Sequence, residues 1–177
     1  LFVLLFFILV IIFIALSFVP MTAAFSRFAP GDRQAAARAA VAFAAMYAVL
    51  NACVYFIQLT AVEGASLPDE IANLIDYRKF GMILSLDLLG SGHMALSTFF
   101  AGLSFRAKDR ADRWLKGLLL AHGAFAVPCL VAPLLGIFQA DMPDGSLMGT
   151  LLLEFWCAWF LPTALLAARH FAKTPKT

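Results

Sequence analysis

The amino-acid sequence predicts an all-α fold: a polytopic transmembrane helical bundle of five spans, a single transmembrane domain over residues 1–177, with its N-terminus outside and its C-terminus cytoplasmic. Three observations carry this. First, 63% of the 177 residues are hydrophobic, 14% are charged, and the mean hydropathy is +0.89. Soluble domains run at about 45–50% apolar and about 25% charged, and a chain this size must still clothe its surface in polar groups. Second, five apolar stretches each approach the roughly 20 residues needed to cross about 30 Å of hydrocarbon. Third, the basic residues gather on one side of those stretches. The same composition excludes a disordered chain, a disulfide scaffold, a collagen-like repeat and a nucleic-acid-binding domain.

The first span covers about 1–25 and is almost unbroken Leu, Phe, Ile and Val. It lacks a basic leader and its apolar run is too long for a signal peptide. It begins without Met, so residues are expected upstream and five spans is a minimum. With no polar stripe, it suits lipid or a helix of a partner membrane subunit. The remaining spans are expected at about 39–62, 80–105, 117–138 and 146–168. In lipid the backbone must satisfy its own hydrogen bonds, so each span is a helix; the short alternating segments of a barrel do not occur.

Orientation follows from counting Lys and Arg at the span ends. Arg27, Arg33 and Arg38 lie in the first connection, Arg106, Lys108, Arg110, Arg113 and Lys116 in the third, and Arg169, Lys173 and Lys176 near the C-terminus. Eleven of the 13 basic residues thus share one side, which the positive-inside rule makes cytoplasmic. Arg78 and Lys79 lie on the other side, with Glu63, Asp69, Glu70, Asp76, Asp141 and Asp144. The expected location is a prokaryotic inner or plasma membrane. The basic stretch 106–116 reads as a topology determinant near anionic headgroups with Trp114 in the aromatic belt, not as a nucleic-acid site. In the outer connection, Pro68, Asp69 and Glu70 suit a helix start, with Ile71, Leu74 and Ile75 on one face. A short interfacial helix over 68–77 is therefore expected, roofing whatever opens outward.

Ionisable groups inside spans are expensive and face protein or water. Asp87 in span three and Glu154 in span five fall about 10 and 12 Å from the outer ends of helices running the same way. Asn51, Tyr55 and Gln58 share one face of span two, with Tyr55 about 10 Å from its outer end. Asp87, Ser91, Met94 and Thr98 line one stripe of span three. The expectation is an outward-facing, water-accessible pocket centred on Asp87 and Glu154, with Asn51, Tyr55, Gln58 and Ser91 orienting a bound proton, cation or small amphiphile, as in a small transporter or transporter subunit. Against it stands a purely structural role for both carboxyls as interhelical glue.

A second constellation is His93, within Gly90-Ser-Gly-His, and His122 in span four. Placed about 20 and 24 Å from the outer ends of antiparallel neighbours, they could face each other and ligate a haem or a chlorophyll-type pigment. That alternative makes the chain a cofactor-bearing or accessory subunit of a larger membrane complex. A third class, an intramembrane enzyme acting on a lipid, has little support: Ser91 and His93 point to different helix faces, and no nucleotide-binding glycine loop, GxSxG or HExxH motif occurs. No catalytic residue is assigned. His170 is expected to be solvated at the cytoplasmic rim. Cys53, Cys129 and Cys157 lack metal-ligand spacing and read as small apolar residues. Pro128, Pro133 and Pro162 are expected to kink their spans. The run Asp141-Met-Pro-Asp-Gly145 reads as a turn and not as a calcium loop.

Overall fold

The computed structural model describes residues 2–62, 66–138 and 145–173, and within these the side chains at 2–5, 7, 145–150, 152 and 153 lie outside the description. The turn at 141–144 and Glu63 therefore lie outside the described residues. The described residues are mainly helical, with no strand among them. Among the described residues, four stretches are long and apolar enough to cross a membrane: Ile8–Ser26, Gly31–Val62, Met82–Ser104 and Arg110–Leu134.

Helix α1 (Phe2–Ser26) carries no acidic first turn and no basic last turn. A 3-10 turn, Gly31–Arg33, leads into α2 (Gln34–Ile57), whose buried face reads Ala37, Ala40, Ala44, Tyr47, Ala48, Asn51 and Val54. The alanines let the backbone of α4 (Met82–Ser104) come close. Ser97 Oγ bridges that seam by donating to the Ala40 carbonyl at 2.7 Å. Gly90 of α4 lies so near α2 that a Cβ there would sit 2.5 Å from Asn51 Oδ1. Helix α4 is the centre of the bundle, with α2 on one side and α5 (Arg110–His122) and α6 (Ala126–Leu134) on the other. Helix α1 packs on α2, and α7 (Gly145–Lys173) packs on α5. Ala15 and Phe18 of α1, Ala44 and Tyr47 of α2 and Met94 of α4 form the mid-bundle core, against which Trp156 and Phe160 of α7 rest.

Two elements differ in kind from expectation. The fourth span was expected as one helix over 117–138. It starts at Arg110, where Asp109 caps it by accepting from Asp112 N at 2.8 Å. It then breaks into a 3-10 turn at Gly123–Phe125 and ends at Leu134. Proline explains the break: Pro128 has no N–H, and its ring crowds the carbonyl four residues back, that of Ala124. The interfacial helix expected at 68–77 is α3 (Asp69–Ile75), followed by a separate 3-10 turn at Tyr77–Lys79. Asp76 is extended between them (ψ 119°) and splits the two.

The basic end is bolted together by charges. Arg33 donates to the carbonyls of Leu103 (3.2 Å) and Phe105 (3.0 Å), and Lys116 donates to that of Phe105 (3.1 Å). Two cations thus meet the open C-terminus of α4, where the helix dipole is negative. His170, expected to be solvated, is 7% exposed and its Nδ1 pairs with Asp112 Oδ1 at 3.0 Å. The periodicity of α7 explains this: Trp156, Phe160, Thr163 and His170 recur on its inward face. Asp112 also accepts from Lys108 N, while Lys173 pairs with Asp109. The Lys173 ammonium, helped by the Asp112 N–H, holds the Asp109 carboxyl down at about 2.

Candidate functional site

The site is built at the end of the bundle away from the basic loops. Asp87 sits one and a half turns into α4 and is 7% exposed. From α2, Asn51 Nδ2 donates to its Oδ1 at 3.3 Å. From the turn between α3 and α4, the Tyr77 hydroxyl donates to its Oδ2 at 3.1 Å. The Tyr55 hydroxyl lies beside both the Asp87 carboxyl and Tyr77, whose ring stacks on that of Tyr55 with centroids 6.3 Å apart. The described contacts of the carboxyl all come from neutral side chains.

Tyr77 is held over the carboxyl by its backbone. Helix α2 ends in a π-helical turn, Gln58–Val62, a local widening that recurs at functional sites. That turn directs Gln58 inward, where its amide makes two bonds to the roof: Nε2 to the Ile75 carbonyl (2.7 Å) and Oε1 from Tyr77 N (3.0 Å). Asp76 fixes the turn from the other side by accepting from Arg78 N at 2.9 Å and pairing with the Arg78 guanidinium. Burial pushes the Asp76 carboxyl up, but the Arg78 hydrogen bonds and charge outweigh it and hold the group below its usual range. Burial and then the nearby Asp87 charge push the Tyr77 hydroxyl well above the usual tyrosine range, so it stays protonated and keeps donating. Phe80 follows in the left-handed region (φ 52°), and the close approach of Gly81 to the Asn73 carbonyl leaves no room there for a Cβ.

Five of the six expected pocket residues therefore lie on the two helices of one seam. Asp87 and Ser91 share the buried stripe of α4 with Met94 and Thr98, and Asn51, Tyr55 and Gln58 share the facing side of α2. The site differs from the expected open pocket in being roofed by Tyr77. The sixth residue, Glu154, is exposed on α7. Trp156 and Phe160 turn inward to the mid-bundle core, so Glu154, about 200° round the helix from Trp156, turns outward.

The two histidines are also separated. His93 Nδ1 lies 2.7 Å from the Leu89 carbonyl, which can only accept, so Nδ1 carries the proton. Its ring leans on Phe43 of α2 (5.9 Å). His122 is 1% exposed and its Nδ1 meets Thr98 Oγ1 at 2.7 Å. Thr98 spends its own proton on the Ala95 carbonyl (2.9 Å), so His122 Nδ1 is the donor and Nε2 is bare. That Nε2 and the Trp159 Nε1 beside it are buried without a hydrogen-bond partner. His93 and Thr98 are five residues apart, about 140° round α4, so the imidazoles address different neighbours. Among the described residues no group of three or more His, Cys, Asp or Glu is placed to hold a metal ion.

Sequence reasoning missed Tyr77. Its signal was Asp76-Tyr-Arg78, an Asx-type turn that presents one aromatic side chain at the roof of the site. The chain matches no protein-family model, no curated protein and no solved structure.

Proposed function

We propose that this chain is a five-span integral membrane protein, N-terminus out and C-terminus cytoplasmic, in which Asp87 takes up and releases a proton or small cation from the outer side, as in a small transporter or a subunit of one. The fifth span is α7, 29 residues and about 43 Å long. One observation carries the functional reading: a carboxyl buried inside a span whose described partners are neutral donors. Such a group has no fixed counter-charge to settle it, and intramembrane carboxyls of this kind mark ion and proton paths. Asn51, Tyr55 and Tyr77 orient the carboxyl, and Gln58 holds the roof. Glu154, exposed on another face, is left out of the binding set.

The test uses the full chain in liposomes containing a pH-sensitive dye, with uptake driven by an imposed membrane potential. Wild type is expected to acidify the lumen and Asp87→Asn to lose at least 90% of that rate, roughly one factor of ten. Equal rates in both, together with an infrared carboxyl band that does not titrate with outside pH, would overturn the reading.

A further inference from the structure

The first turns of α5 carry a second surface that the Asp87 site does not use. Arg110, Arg113, Trp114 and Gly117 line a shallow groove of about 420 Å³. Their spacing, i, i+3, i+4 and i+7, puts them on one stripe, and all four are exposed, Trp114 at 61%. The two acids of the same segment are engaged elsewhere. Asp109 pairs with Lys173, and Asp112 is turned inward onto His170 and Lys108 N. Neither arginine has an ion-pair or hydrogen-bond partner among the described residues. The stripe continues along α5 and into the 3-10 turn through Ala121 and Ala124, both exposed and both small. A Cβ built at Gly117 meets nothing within 4 Å, so this glycine is not demanded by any packing contact. Its effect is to leave the floor of the groove open.

We propose that this stripe is a binding site for one anionic phospholipid in the leaflet at the basic end of the bundle. The phosphodiester lies between the guanidiniums of Arg110 and Arg113, one helical turn apart, which bind planar or tetrahedral oxyanions through paired N–H donors. The Trp114 ring covers the glycerol region, where amphipathic aromatics settle. One acyl chain descends over Gly117, Ala121 and Ala124. Charge complementarity selects the occupant: two unpaired cations above an apolar strip match a headgroup joined to a chain, and a free phosphate satisfies only the upper half.

The measurement is native mass spectrometry of the full chain, delipidated in detergent and titrated with phosphatidylglycerol or phosphatidylcholine. Wild type is expected to retain one phosphatidylglycerol and to prefer it at least tenfold over phosphatidylcholine. Arg110→Gln with Arg113→Gln removes that preference, and Gly117→Leu fills the groove and weakens retention at least tenfold without lowering Tm. Arg106→Gln, a loss of charge off the stripe, leaves retention unchanged. Three results would overturn the proposal: an equal loss in Arg106→Gln, which would mean general electrostatics; full retention in Gly117→Leu; or displacement of the lipid by millimolar inorganic phosphate.

Discussion

Gly90→Ala tests the closeness of the α2–α4 seam and its hold on Asp87. The new Cβ would lie 2.5 Å from Asn51 Oδ1 and 3.3 Å from Leu50 Cβ. The second distance is tolerable with a small shift, but the first is not, so the Asn51 amide must swing away. Swinging it breaks the Nδ2 bond to Asp87 Oδ1, worth about 1.5–3 kcal/mol for a charged acceptor. Overpacking adds about 1–3 kcal/mol, and replacing glycine in a helix interior returns about 1 kcal/mol. The net destabilisation is about 3 kcal/mol, and at about 2–4 °C per kcal/mol for a chain of this length Tm falls by about 6–12 °C. Intrinsic-fluorescence melting in detergent measures it. The same change in an Asn51→Ala background is expected to cost under about 1 kcal/mol, because the clashing oxygen is gone and neighbouring sites are not additive. Additive costs in the two backgrounds would refute the clash as the cause.

Five other outcomes follow from the same contacts. Tyr77→Phe removes a donor from the Asp87 carboxyl and should cost about 1.5–3 kcal/mol, while Gln58→Leu should speed amide exchange over 76–80 at least tenfold; an unchanged exchange rate would show that Gln58 does not latch the roof. The Asp76 carboxyl is depressed in the folded chain, so its contribution is complete above its unfolded value of about 3.9 and disappears as pH falls through the lower folded value. The near-ultraviolet circular dichroism of the roof tyrosines should therefore hold steady from neutral pH to about 5 and change only in stronger acid, with Arg78→Gln shifting that change to higher pH. His170→Ala removes the imidazole partner of the buried Asp112 carboxyl and leaves it the Lys108 N–H, which should cost about 1.5–3 kcal/mol; a Tm loss under about 2 °C would mean the pair is solvated. Ser97→Ala breaks only the Ala40 bridge, a membrane interhelical bond worth about 0.6 kcal/mol on average, so its Tm should fall far less than that of His170→Ala.

The helical class was legible because apolar runs of span length have few other physical solutions. The seam was legible too: Asn51, Tyr55 and Gln58 at i, i+4 and i+7, and Asp87, Ser91, Met94 and Thr98 down one stripe, are periodicities that read directly from spacing. Depth along a helix is set by counting, but rotation about its axis is set by neighbours. For that reason counting put Asp87 and Glu154 at similar depths, yet only Asp87 turned inward; the large rings Trp156 and Phe160 had claimed the core-facing side of α7. The same ambiguity let His93 and His122 look like a facing pair when Phe43 and Thr98 had already taken them in different directions. Tyr77 escaped because loop side chains carry no periodic signal, and its place depends on Gln58, 19 residues away. His170 escaped because a charge count near a terminus cannot see a buried acid at Asp112.

The cationic caps on the last turn of α4 bear on how the topology of such a chain is mapped. Arg33 and Lys116 belong to different connections, yet both close the same helix end. On the proposed orientation each therefore has two roles, as an orientation signal during insertion and as a fastener of the finished bundle. Neutralising either one weakens assembly as well as bias, so a reporter fused downstream would register a poorly folded product as an inverted one. Arg106, exposed and outside that fastening, is the cleaner residue on which to measure orientation alone.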